Sequence, residues 1–339
     1  MNSRLNDILP RGLDATEVFD TYWRFAAERQ SVYYARLEGA GAPYTMDPII
    51  QDYKFTNVYR AADRVSQYLI RNVIYPPNPQ LTPEDLLFRI LLFKLFNKIS
   101  TWEMLEQQLG EVTYRGFCFG HYDDVLTQFR ARGYTIYSAA YIMPSATAFG
   151  HSSKHTNHLA LVQLMMQTLP RIIARAGSME SVYRALLSYP SIGKFLAYQL
   201  AIDINYSELT EFDESEFVVA GPGAIDGIRK AISHMPGSTY ECVIRAAYEM
   251  QSVAFTALDL RFDGLFGRPL QLIDCQNLFC EVDKYARVAH PGYTGVSGRV
   301  RIKQKFKESA RLPIPWFPPK WGINGRIPLS NPQKVQTWT

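Results

Sequence analysis

The sequence predicts a mainly α-helical fold. Apolar residues recur at helical spacing along most long segments, threonines at positions 16 and 82 mark helix starts, and stretches with strand character are few. Thr16–Glu38 is the first helix; it runs through Phe19, Trp23 and Phe25 and stops at Gly39. The segment from Pro43 to Pro48 is a turn-rich connector. Asn57–Ile74 places Val58, Ala61, Ala62, Val65, Leu69 and Val73 near the helical period, and Pro76-Pro-Asn-Pro79 halts it. Thr82-Pro-Glu-Asp85 reads as a capped start with proline at the first helical position, leading into Leu86–Phe96. That apolar run carries Arg89 and Lys94 and is too short to span a bilayer, so it is expected to be a core helix.

After Ser100, Trp102, Leu105 and Leu109 place another helix. Further helices are expected over Tyr122–Arg132, Asn157–Ala176, Ser178–Ser188, Gly193–Asn205, Gly223–His234 and Thr239–Arg261. Strand signals are confined to Tyr134–Tyr137 and Phe217–Ala220. No repeat or low-complexity block interrupts the pattern. The prolines of Leu312–Pro319 exclude a regular helix, which leaves a packed extended arm or a mobile end.

A chain of 339 residues buries enough surface for one large domain or two tightly joined ones. Its 47% apolar and 20% charged content is that of an ordinary soluble enzyme, and its net charge of +4 permits nucleic acid without requiring it. The distribution says more: Arg299, Arg301, Lys303, Lys305, Lys307, Arg311 and Lys320 face only Glu308. That stretch suits a phosphate backbone, and a solvated tail equally. Cys118, Cys242, Cys275 and Cys280 form no CxxC pair, so neither zinc nor an iron–sulfur cluster is signalled. No secretory leader opens the chain, so reduced thiols in a cytoplasm are the expectation. No metal, cofactor or membrane partner is called for.

Four segments could carry chemistry. Tyr189-Pro-Ser-Ile-Gly-Lys194 is a tight turn between two helices, in which Gly193 would allow the bend and the second helix would offer free N–H groups to phosphate. An ordinary helical turn has the same spacing. Asp274 follows Leu272-Ile273 and precedes a periodic helix with Leu278, Phe279, Val282 and Tyr285. Read as an N-cap, it would be held ionised beside the positive helix end, able to stabilise a sugar cation or orient water. Gln276 and Asn277 add amides that could read a base edge or serve as braces. Gly221-Pro-Gly223 would let backbone approach a ligand, but no Gly-Lys-Ser/Thr follows, so it is not a Walker loop and a nucleotide-dependent kinase is unsupported within this chain. In Tyr53–Arg64, Lys54, Thr56, Asn57 and Tyr59 crowd a helix start and Arg60 and Arg64 lie four apart on the helix beside Asp63, as a substrate pocket or a buried salt-bridge cluster. His151, His155 and His158 lack a nearby carboxylate, which favours phosphate contact or capping over metal.

The runs Trp23–Gln30, Tyr53–Arg60, Phe217–Ala224 and Asp274–Tyr285 resemble the α-glutamyl/putrescinyl thymine pyrophosphorylase family and the helical domain of 5-hydroxymethyl-deoxyuridine DNA kinases. The likeness covers about Phe19–Tyr285. Such proteins look distantly similar to helix-hairpin-helix DNA glycosylases, some of them anti-phage enzymes. The resemblance implies a helix-hairpin-helix DNA-glycosylase-like helical bundle in two closely packed lobes. It implies a glycosylase-like domain over 1–285, with 206–270 inserted, and a basic C-terminal arm over 286–339.

Under that likeness Asp274 matches the catalytic aspartate. Lys54, Asn57, Tyr59, Arg60, Gln276, Asn277, Gly221 and Gly223 would bind substrate, while Ser191, Gly193, Lys194, Arg299, Arg301, Lys303 and Lys305 would grip DNA. Ser191 replaces the first hairpin glycine, and the Schiff-base lysine position falls on Phe195, which points to a monofunctional enzyme. The leading expectation is excision of a bulky modified pyrimidine, such as glucosylated 5-hydroxymethylcytosine, from phage DNA. The alternatives are a transferase that installs an amine or amino acid on an activated 5-hydroxymethyl pyrimidine, and a non-catalytic module that binds modified DNA.

Overall fold

The computed structural model describes residues 3–77, 80–139, 143–308 and 312–328; Asn78, Pro79 and Arg311 lie outside the described residues. The chain divides into two compact units, residues 1–63 with 214–339, and residues 64–213. The first unit opens with strand β1 (Asp14–Ala15) and helices α1 (Glu17–Glu38) and α2 (Pro48–Asp52). The second carries α3 (Arg64–Tyr68), α4 (Pro83–Phe96), α5 (Ile99–Leu109), α6 (Phe119–Ala131), α7 (Lys154–Ile173), α8 (Met179–Leu187) and α9 (Lys194–Asn205). The first unit then resumes with α10 (Pro222–Ala231), β2 (Ile232–His234), α11 (Tyr240–Ala257) and α12 (Leu272–Ala289). Among the described residues the only sheet is the antiparallel β1–β2 pair. The fold is mainly helical, as the sequence predicts.

Caps set the helix ends. Thr16 accepts the Val18 N–H at 3.2 Å, and Gly39 closes α1 in the left-handed region at φ +82°, donating to the Ala35 and Arg36 carbonyls. Thr82 and Asp85 exchange hydrogen bonds at 3.1 and 3.2 Å at the start of α4.

The core of the first unit stacks aromatic rings from three helices. Tyr22 of α1 lies 4.4 Å from Phe279 of α12, and Trp23 meets Phe255 of α11 edge-on at 5.1 Å. Helices α10 and α12 nearly touch. A Cβ on Gly227 would sit 1.9 Å from the Phe279 carbonyl oxygen, and one on Gly223 would sit 2.3 Å from Cys280 Sγ. Lys230 bridges the same helices through a buried 2.8 Å pair with Asp283.

In the second unit the buried Arg89 donates to the Val73, Val112 and Asn72 carbonyls at 2.8–2.9 Å, beneath the Trp102 ring. His158 is held between the Tyr137 hydroxyl at 2.9 Å and the Pro144 carbonyl at 2.7 Å. Burial lowers its pKa to about 4, so it is neutral. No helix among the described residues is long and apolar enough to cross a membrane.

Three local expectations are corrected. Helix does not begin at Asn57: the Asn57 amide donates to the Ala62 carbonyl at 2.7 Å while its backbone N–H reaches Asp63 Oδ1 at 2.8 Å. These side-chain closures compete with helix. Only a 3-10 turn, Arg60–Ala62, precedes α3, so Arg60 and Arg64 stand on separate elements. Tyr134–Tyr137 and Phe217–Ala220 are irregular rather than strands, and the Ala220 N–H is taken by Glu241 at 2.9 Å.

Candidate functional site

The loop from Tyr53 to Asp63 and the first turns of α12, far apart in sequence, build the polar centre of the first unit. The basic arm fastens the loop's start, with the Lys54 N–H donating to the Gln304 carbonyl and the Phe306 N–H to the Asp52 carbonyl. Thr56 N–H donates to Glu281 Oε2 at 2.9 Å. Asn277 Nδ2 reaches Thr56 Oγ1 at 3.2 Å and the Asn57 carbonyl at 3.3 Å. Arg29, from the buried face of α1, donates through Nη2 to Asn57 Oδ1 at 2.6 Å.

Asp274 joins loop to helix. Its Oδ1 accepts the Arg60 N–H and its Oδ2 the Gln271 N–H, both at 3.1 Å. It is the third helical residue and not the N-cap, which is Gln271, because the apolar Leu272 and Ile273 are already helical and buried. Nearby, Tyr59 donates to the Arg268 carbonyl at 2.7 Å. Arg268 pairs with Glu214 at 3.1 Å and lies over the Trp321 ring, whose Nε1 also donates to Glu214 at 2.9 Å.

Burial dominates the electrostatics. It pushes the Asp274 carboxyl up to about 7; the Gln271 N–H opposes this and the Glu214 charge adds to it. Asp63 is likewise raised to about 7 by desolvation, although its side chain keeps some exposed surface. Burial also raises Glu214, against the pull of Arg268, and lowers Arg29 to about 10. One guanidinium nitrogen of Arg29, Nη1, is buried without a hydrogen-bond partner. The centre therefore contains two carboxyl groups that exchange protons near neutrality within reach of arginine charge.

Asn57, Tyr59, Arg60, Asp274 and Asn277 thus converge. Gln276 is buried on α12 with an unpartnered Oε1, and Lys54 is exposed. Gly221 is the buried N-cap of α10, and the close approach that Gly223 allows is to Cys280 of α12. Arg299, Arg301 and Lys303 are exposed, whereas Lys305 pairs with Asp52 at 3.0 Å over the Tyr53 ring.

Ser191, Gly193 and Lys194 belong to the other unit. There the left-handed residue is Ser191, at φ +66°, and Gly193 is an ordinary extended N-cap at φ −84°. The hairpin bend thus does not rest on Gly193. Sequence reasoning misses Arg29, Glu214 and Arg268. A charged residue on the buried face of an apolar helix was the available sign for Arg29; Glu214 and Arg268 carry no local sign.

Residues 16–295 match the family described as 5-hmdU DNA kinase, helical domain. The chain belongs to this family. A 5-hmdU DNA kinase of Bacillus phage SP10 is 24% identical over 312 residues, covering 85% of this chain and 48% of the relative. The chain spans about half the length of that curated relative. No solved structure matches. The expectation of a monofunctional DNA glycosylase is thereby corrected: the relative bearing this module is named a kinase, a transferase and not a hydrolase.

Proposed function

We propose that this chain recognises a 5-substituted pyrimidine in DNA and serves group transfer at that substituent, with 5-hydroxymethyldeoxyuridine the base to test first. The observation that carries the reading is the family match, which spans the whole polar centre from Arg29 to Asp274. In phosphoryl transfer the hydroxymethyl oxygen bonds to phosphorus, the donor's diphosphate leaves, and the hydroxyl proton needs an acceptor. The glycosidic bond is untouched. Transfer of an amine to an activated 5-methylene, with loss of pyrophosphate, would likewise leave the base attached.

In this reading Asp274 and Asp63 hold the proton inventory near neutrality, and Asn57, Tyr59, Arg60, Gln276 and Asn277 brace the base site from behind. Lys54, Gly221 and Gly223 flank the loop and helix that carry these residues. Ser191, Gly193 and Lys194 on the hairpin, and Arg299, Arg301, Lys303 and Lys305 on the arm, meet the DNA backbone.

Competition binding tests this. An oligonucleotide containing 5-hydroxymethyldeoxyuridine should outcompete its thymidine counterpart, and equal affinity would count against the reading. Replacing Arg299, Arg301 and Lys303 by glutamine should weaken both oligonucleotides alike. It should also lower the slope of log affinity against log salt by about one for each phosphate no longer neutralised.

A further inference from the structure

Between the C-terminal half of α1 and the 258–270 loop lies a cleft of about 550 Å³. From its walls we infer that it receives the modified pyrimidine, swung out of the DNA strand; the inference rests on the function proposed above. The size falls in the range that encloses small molecules, roughly 300–1,000 Å³, with room for a base and a bulky 5-substituent.

Three of the wall residues, Tyr34, Phe262 and Phe266, are aromatic and held in place. Tyr34 meets Phe266 at right angles, 79° at 5.5 Å, which makes a corner where a flat ring stacks on one face and meets the edge of the other. The Tyr34 hydroxyl donates to the Gly264 carbonyl at 2.7 Å and accepts the Phe266 N–H at 2.9 Å, so the corner is fixed without a ligand. Gln30 Nε2 holds the same carbonyl at 3.1 Å. Phe262, another wall, is braced by Phe255 at 4.2 Å and 7°.

Position supports the assignment as well. Gly264 touches the polar centre directly: a Cβ there would lie 2.4 Å from the Arg268 carbonyl and 3.3 Å from the Tyr59 hydroxyl. At the rim Arg261, 84% exposed, pairs with Asp263 at 2.9 Å, and Arg326 donates to the Phe266 carbonyl at 3.2 Å. Arg326 suits a phosphate flanking an extruded nucleotide, while the aromatic corner suits its ring. Asn57, Tyr59 and Asp274, all nearly inaccessible, then support the cleft from behind.

Photocrosslinking tests the cleft in the intact protein. An oligonucleotide carrying 5-iododeoxyuridine, a photoreactive 5-substituted pyrimidine, is irradiated with the chain and the adduct mapped by mass spectrometry. Adducts on Tyr34, Phe262 or Phe266, suppressed by a 5-hydroxymethyldeoxyuridine competitor, are expected. Bound oligonucleotide with adducts only elsewhere would overturn the cleft but leave the proposed function standing; absence of any DNA binding would overturn both. Ser31→Trp, which fills the cleft from an exposed face of α1, should reduce the preference for the modified base about tenfold, the scale of a single base–aromatic stack. A folded Ser31→Trp protein that keeps its full preference would also overturn the inference.

Discussion

Replacing Gly227 by alanine is expected to destabilise the first unit by about 3 kcal/mol, at the upper end of the range for overpacking. The added methyl would stand 1.9 Å from the Phe279 carbonyl oxygen and 2.7 Å from its carbon, both backbone atoms of α12 that cannot rotate away. Relief requires α10 and α12 to separate, and separation strains the buried Lys230–Asp283 pair, whose loss would strand a charge. Alanine's better helix propensity returns only about 1 kcal/mol. The control is Gly120→Ala in the first turn of α6, where nothing lies within 4 Å of the new Cβ and a smaller propensity gain should be stabilising. Urea midpoints of the two variants should move in opposite directions. Equal or greater stability of Gly227→Ala would refute the close crossing.

The second large effect is a pH dependence set by Asp274. Its folded pKa of about 7 stands above the ordinary carboxylate value, so the folded state holds this proton more tightly than the unfolded state does. The stability it contributes is full below the unfolded pKa and is lost as pH rises through about 7, a fall of roughly 4 kcal/mol at most. Asp63 and Glu214, both raised by burial, act in the same direction.

Asp274→Asn removes the titration. It also sets an amide NH2 against one of the two backbone N–H groups now accepted, at a cost of about 1–3 kcal/mol. The variant should therefore be clearly weaker than the parent at pH 5.5 and draw level or ahead at pH 8.5. Parallel urea-midpoint curves for the two proteins across that interval would show that Asp274 does not titrate there.

Much of this fold was legible in advance because it is written locally. Thr16, Thr82 with Asp85, and Ser178 cap the helices that their spacing announces. The misreadings arise where the backbone finds partners outside a regular local pattern. The Asn57 amide holds its loop out of helix, Glu241 occupies the Ala220 N–H, and β1 pairs with a strand 218 residues away, Asp14 facing His234 across a register irregularity that sets Ala15 opposite Ile232.

The site divides the same way. Asn57, Tyr59, Arg60, Asp274 and Asn277 sit in two short runs that drew attention on their own. Glu214, Arg268 and Trp321 meet only through the fold, and no spacing links them. The glycosylase expectation is overturned by the relative, which is named a kinase; for Asp274 the sequence misplaces only the position, reading as an N-cap what is the third helical residue. In the structure both its oxygens are engaged by main-chain N–H groups, one from its own helix and one from the Arg60 loop.

The most direct measurement is mass spectrometry of nucleosides, with a parallel assay for abasic sites, after the chain is incubated with DNA containing 5-hydroxymethyldeoxyuridine, a nucleoside triphosphate and magnesium. A second reaction supplies an amine and DNA whose 5-hydroxymethyl groups are already pyrophosphorylated. Our account predicts either phosphorylated 5-hydroxymethyldeoxyuridine in the first reaction or, in the second, a nucleoside in which the amine has replaced pyrophosphate, with intact glycosidic bonds in both. Release of free base with abasic sites, or unchanged nucleosides in both reactions together with equal affinity for thymidine DNA, would contradict it.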